Sequence, residues 1–194
     1  MSKYLRYAGI SGIIAVIVSV IYIVFSVVYI SKLSIQPFWS IHILLILLLL
    51  VSSLIFYNGF RLLGIYFHER KLVIIAWLGF LLVIFQTIYA IFGSKVPAQH
   101  IPGLAVLIYV ALGLISIPIG IIFLKMSPKL GPIASTVGKL NIAMGIAMAS
   151  VILMPIGLLL SIVSNVYESL LLLKQASLIN NTEVQANRTG KRKS

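Results

Sequence analysis

Apolar residues in this chain follow neither the every-second spacing of a half-buried strand nor the one-sided stripe of a surface helix. They come in long blocks, at about residues 8–30, 40–58, 72–93, 102–124 and 139–163. Each is near the roughly 20 residues a helix needs to cross about 30 Å of hydrocarbon. The breaks carry turn chemistry or charge: Ser31-Lys32 to Gln36-Pro37; 58–71 with Arg61, His68, Glu69 and Arg70; Gly93-Ser94-Lys95-Val96-Pro97; and Lys125 to Lys139 with Pro128, Gly131 and Pro132. Strands are excluded, because an open strand in lipid leaves backbone groups unpaired and a barrel shows shorter, alternating segments. Lys3 and Arg6 precede the first block as in a signal peptide. That block is longer than a 7–15-residue h-region and no A-x-A-like site closes it, so it reads as a retained helix. The pattern predicts an all-α fold: a polytopic transmembrane helix bundle with about five membrane-spanning helices over 1–174. A polar, basic C-terminal tail over 175–194 is expected to be disordered.

Composition identifies the solvent. Of 194 residues, 61% are hydrophobic and 9% charged, with a mean hydropathy of +1.15. A soluble domain is about half apolar and roughly a quarter charged, and a chain this short has too little interior to hide the excess. The lipid bilayer is therefore the first partner. Cysteine is absent, which removes disulfides, thiolate metal sites and cysteine nucleophiles. Aspartate is absent too, and the acidic residues are Glu69, Glu168 and Glu183.

Fifteen Lys and Arg give a formal charge of +12. Lying between apolar blocks, they point to topology and anionic head groups, with no nucleic acid as partner. With five crossings, one side holds Lys3, Arg6, Arg61, Arg70, Lys71, Lys125, Lys129 and Lys139, eight charges; the other holds Lys32, Lys95 and Lys174, three near the membrane. The positive-inside rule then predicts a cell-membrane protein with a cytoplasmic N-terminus and an outside C-terminus. Asn180 and Asn187 begin N-x-[ST] sequons that would be glycosylation acceptors on that outer side.

Small and polar residues mark helix faces. Ala76, Gly79, Val83, Gln86, Ala90 and Gly93 recur at helical spacing, as do Ala8, Gly12, Ala15, Ser19, Tyr22 and Ser26. The fourth block offers Gly113, Ser116 and Gly120; the fifth offers Gly138, Asn141, Gly145 and Ala149, then Gly157, Ser161, Asn165 and Glu168. Small residues let helix backbones approach, which drives association where lipid supplies no hydrophobic force. These stripes read first as packing seams, within the bundle or against a second copy or a membrane-complex partner. A substrate path is the other reading. The second block, bulky over Leu44–Leu50, is expected at the periphery. Pro118 and Pro155 interrupt the last two blocks and predict kinks.

Candidate chemistry is sparse. Gln86 is the clearest intramembrane polar side chain, and Glu168, a turn past the last block, is expected to snorkel to water. His42 and His100, near helix starts on one face, invite a haem reading that an interfacial position explains as well. Gly9-Ile10-Ser11-Gly12 matches the G-x-S-G of rhomboid-type proteases, but the histidines lie a bilayer away from Ser11, out of hydrogen-bond reach. His68-Glu69 begins H-E-x-x-H, yet Leu72 stands where the second ligand belongs. No catalytic set, metal site or cofactor is expected.

The stretch Gly59-Phe60-Arg61-Leu62-Leu63-Gly64-Ile65-Tyr66-Phe67-His68-Glu69-Arg70-Lys71-Leu72, with Val137-Gly138-Lys139-Leu140, Gly145 and Pro155-Ile156-Gly157, resembles uncharacterised archaeal polytopic membrane proteins. The resemblance covers the last two-thirds of the chain and implies a small multi-helix fold without an assigned activity. The functional expectation is a non-enzymatic structural or accessory subunit of a membrane complex. The alternative is a small oligomeric transporter or channel, resting on Gln86, Pro118, Pro155 and the polar face of the fifth block.

Overall fold

A computed structural model describes residues 1–29, 36–92, 101–150 and 152–190. The described residues are helical, with no strand: α1 Ser2–Tyr29, α2 Gln36–Tyr66, α3 Arg70–Phe92, α4 Ile101–Leu130, α5 Pro132–Ala149 and α6 Met154–Gly190. Five of these, all but α5, are long and apolar enough to cross a membrane. The chain is thus a multi-pass helical membrane protein by the length and composition of its helices. Apolar side chains are exposed all round the bundle, from Ile14, Ile17 and Ile21 on α1 to Trp77, Leu81 and Phe85 on α3, as expected where lipid is the solvent.

The helix count differs from the sequence expectation in one informative place. The block at 139–163 is two helices. α5 ends at Ala149, and Ser150 takes an extended conformation while its N–H still bonds Ile146 O. α6 starts at Met154. Pro155 therefore sits in the first turn of α6, where its missing N–H costs nothing, and does not kink a continuous helix. Pro118 does lie inside α4, which continues through it. The opposite end of α5 is set by Gly131, whose φ of 85° is open to glycine at little cost, followed by Pro132 at the first helical turn.

Successive helices alternate in direction. Ser11 of α1 donates to Ser52 O of α2, and further along the same pair Tyr22 packs on His42. Gly64 of α2 faces Val73 of α3, and Gly79 of α3 faces Tyr57 of α2. In the α4–α5 hairpin Gly113 meets Gly145 and Gly120 meets Gly138; Gly157 of α6 meets Met148 of α5. The ring closes where Gly9 of α1 faces Leu173 of α6 and Gly12 faces Ser169. Six alternating legs bring the C-terminal half of α6 back to the end that holds Met1. Gln175 Nε2 donates there to Leu130 O at 3.0 Å. Five legs would set the two ends of the chain at opposite ends of the bundle; the turn at 152–153 supplies the sixth.

That basal end gathers the charge. Lys3, Arg6, Arg61, Arg70, Lys71, Lys125, Lys129, Lys139 and Lys174 lie at it or within the adjoining turns, whereas the opposite end carries no Lys or Arg among the described residues. Lys32 and Lys95 fall outside the described residues. Arg61 stacks over the Trp77 ring at 5.7 Å and donates to Asn58. Lys129 pairs with Glu69 at 3.3 Å across the turns, an exposed contact worth at most about 1 kcal/mol. Between α2 and α3, His68 adopts φ 57° while Glu69 N bonds Gly64 O, so this histidine caps a helix.

Two further expectations change. α2 is not peripheral: Phe56, Phe60 and Leu63 are buried in the main core, and only the face with Leu44, Leu47, Leu48 and Val51 points outward. α3 takes the outer position, packing on α2 and touching α4 sparsely. α6 continues as helix through the expected tail to Gly190, with Ala176 and Ile179 still in the core.

A Cβ on Gly120 would stand 2.5 Å from Gly138 O, a contact with backbone that cannot swing away. Gly120→Val should cost about 1–3 kcal/mol and lower the thermal unfolding temperature in detergent; Gly103→Val, which meets nothing within 4 Å, should not. The chain holds no natural cysteine, so topology can be read from single introduced ones. Lys3→Cys and Asn180→Cys should both react with an impermeant maleimide from the same side of a sealed vesicle.

Candidate functional site

The core is filled unevenly along its length. Toward the basal end Phe56, Phe60 and Phe123 pack edge to face, with ring centroids 5.1 and 5.5 Å apart, and Leu5, Leu63, Leu72, Leu171 and Leu172 close around them. Toward the other end tyrosines, serines and Gln86 mix with aliphatic side chains such as Leu49, Leu112 and Ile162, and the helices line a partly open cavity of about 400 Å³. All six contribute to it: Ser19 and Tyr22 from α1, Leu50 from α2, Gln86 and Tyr89 from α3, Tyr109 and Ser116 from α4, Met148 from α5, Ser161 and Asn165 from α6. The volume falls in the roughly 300–1,000 Å³ range of small-molecule sites.

The stripes found in the sequence thus divide by depth. Ala8 and Gly79 are packing positions, Gly12 packs on Ser169 and Phe56 at the edge of the cavity, Ala76 borders the smaller one, and Ala15, Ser19, Tyr22, Val83, Gln86 and Ala90 farther along the same faces line the larger cavity. Gln86 is half-buried in its wall. Gly145 belongs wholly to the α4–α5 seam. Pro118 and Pro155 are exposed and line neither cavity. Asn180 is exposed on α6, and the side chain of Asn187 lies outside the described residues.

Below the cavity floor sits a cluster that sequence reasoning placed elsewhere. Glu168 does not reach water; it is 7% exposed and faces α5. Asn141 Nδ2 donates to its Oε1 at 2.6 Å and to Val137 O at 3.1 Å. Ser164 Oγ, fully buried, donates to the same carboxylate oxygen at 3.3 Å. A smaller cavity of about 60 Å³ adjoins this group, bordered by Glu168, Asn141 and Phe123. Tyr57, Ser116, Met144 and Asn165 line both cavities, so the two share a wall. The spacing of Gly157, Ser161, Asn165 and Glu168 already put Glu168 on this face; what the sequence hid was the separate α6 leg that carries the face inward.

His42 is buried near the end of the bundle opposite the basal charges. It lies between Trp39 and Tyr22, each 5.5 Å away, with Nε2 3.3 Å from Ala90 O and no partner for Nδ1. His100, the other half of the haem reading, falls outside the described residues. Among the described residues no three His, Asp or Glu side chains are placed to hold a metal ion. Ser11 Oγ is committed to Ser52 O at 2.9 Å, which makes it a helix tie. No protein-family model, curated protein or solved structure matches the chain.

Asn141→Leu removes a donor from a buried carboxyl and should cost about 1–3 kcal/mol. Adding Glu168→Leu to that variant removes the stranded group as well and should recover most of the loss. A double-mutant cycle on unfolding temperature in detergent measures the coupling.

Proposed function

We propose that this protein is a non-enzymatic, multi-pass transporter of the cytoplasmic membrane, which holds a small amphipathic solute inside its helix bundle. The observation that carries this reading is the cavity of about 400 Å³ walled by Gln86, Ser116, Asn165 and a set of tyrosines. A bundle built only to scaffold would gain by closing that space, because empty volume forfeits packing. Polar side chains in a membrane interior carry a cost that function commonly explains.

The accessory-subunit reading rests on small-residue stripes available to a partner. Gly9, Gly12, Gly59, Gly79, Gly113 and Gly145 each face the chain's own helices, which leaves those seams occupied. All six helices of one chain line the cavity, so the transport reading needs no second copy. Concentration of Lys and Arg at the basal end favours a cytoplasmic position for that end, and with it for both the N-terminus and Asn180. The two sequons would then go unused.

Binding in lipid nanodiscs tests the reading with three probes: neutral Nile red, tetraphenylphosphonium, and the anion 8-anilinonaphthalene-1-sulfonate. At least one should bind saturably at one per chain, about tenfold more weakly to Gln86→Leu if the lost amide contact is worth about 1.4 kcal/mol. Saturable binding by none of the three would return the accessory-subunit reading to first place.

A further inference from the structure

Glu168 lies in the middle of a helix long and apolar enough to cross a membrane, and among the described residues it has no countercharge. Around the small cavity α2 offers Tyr57, a titratable but neutral group, and Phe60; α3 offers Leu72, Ile75 and Ala76; α4 offers Ser116, Ile119 and Phe123; α5 offers Asn141 and Met144. From α1, Gly9 and Gly12 meet the Ser169 and Leu173 side of α6, and the charges of that helix, Lys3 and Arg6, are exposed at the basal end. Lys139 of α5 is exposed on the outer face. Among the described residues, no Lys or Arg therefore borders the carboxyl. Two hydrogen bonds from neutral donors, Asn141 and Ser164, do not offset the cost of an unpaired buried charge. The group must hold a proton or have a cation beside it.

The shared wall of the two cavities supplies a place for that cation. Tyr57, Ser116 and Asn165 stand between the Glu168 pocket and the larger space, which is walled above by Tyr22, Tyr89 and Tyr109. Aromatic walls suit a weakly hydrated organic cation, which gains from ring faces once desolvated. The apolar surround disfavours small, strongly hydrated ions, which need several oxygen ligands.

We propose that the cavity takes an organic monocation and that Glu168 exchanges its proton for it. On entry the carboxyl O–H bond breaks and the proton leaves for solvent. The carboxylate then neutralises the ligand, so one proton departs for each monocation bound and the interior stays neutral. This deepens the transport reading and rests on it.

The test uses the full chain in nanodiscs with tetraphenylphosphonium, following binding and proton release in weakly buffered solution. Expected are one proton released per cation bound and an affinity that rises up to tenfold per pH unit while the carboxyl is protonated. Glu168→Gln should lose at least tenfold in cation affinity together with the proton release, yet keep Nile red binding if the wild type shows it. Glu168→Asp should restore the release. Cation binding without proton release, or wild-type affinity in Glu168→Gln, overturns the proposal. Saturable binding of Nile red or the anion alone also overturns it while leaving a ligand cavity in place; binding of no probe removes both. Should Glu168→Gln fail to fold, the wild-type proton count decides by itself.

Discussion

The close approach of α4 and α5 sets most of what is distinctive in this bundle. Gly113 against Gly145 and Gly120 against Gly138 bring backbone to within reach of backbone along the hairpin, where lipid offers no hydrophobic push and association relies on intimate packing. α5 carries Lys139 and Asn141 in only 18 residues and is the one described helix that is not among the five long and apolar enough to cross a membrane. Held between α4 and α6, it turns Lys139 outward and Asn141 inward. The inward turn gives Glu168 its shortest hydrogen bond. The same hairpin makes the sixth leg, which returns α6 to the basal end. A larger residue in that seam would therefore disturb more than one contact: the placement of Asn141, the depth of Glu168 and the course of α6 all follow from it.

The sequence made the class of fold plain because bilayer thickness is a length scale that prints directly on the chain. Blocks of about 20 apolar residues can be counted without knowing how they pack. What it obscured was a turn with little polar punctuation. Residues 150–153 read Ser-Val-Ile-Leu, apolar enough to pass as the middle of a span, and Pro155 looked like a kink when it starts a helix. One misjudged turn then put the C-terminal half of α6 at the wrong end of the bundle and Glu168 toward water. Helix α2 shows a second limit: Leu44–Leu50 does face outward in part, but Phe56 and Phe60 lie farther along the same helix in the core. A block judged by its most conspicuous half is misjudged in the other.

For the candidate site, the residue types were legible and their depth was not. Periodicity identified the inward faces of α1 and α3 but not where each changes from seam to cavity wall. That change depends on what fills the space opposite. Three phenylalanines occupy the basal half, whereas serines, Gln86 and tyrosines ring the other half. A stripe of small residues opposite bulky aromatics makes a contact; the same stripe opposite side chains that leave space makes a wall. Packing seam and cavity wall are consecutive uses of one helix face here.

Electrostatics runs in two directions along the axis. The basal collar, with nine Lys and Arg among the described side chains, sits where anionic head groups can screen it. Glu168 sits deeper, where its hydrogen bonds come from Asn141 and Ser164, in a medium where charge is poorly screened. A pairing of the two would have neutralised the carboxyl permanently. Their separation leaves the carboxyl able to change state, because its donors Asn141 and Ser164 serve a charged oxygen and an uncharged one alike. An acid meant only to tie α5 to α6 could be replaced by an amide without loss. An acid held by neutral donors beside a cavity has an additional capacity: it can give up its proton when something positive takes the proton's place.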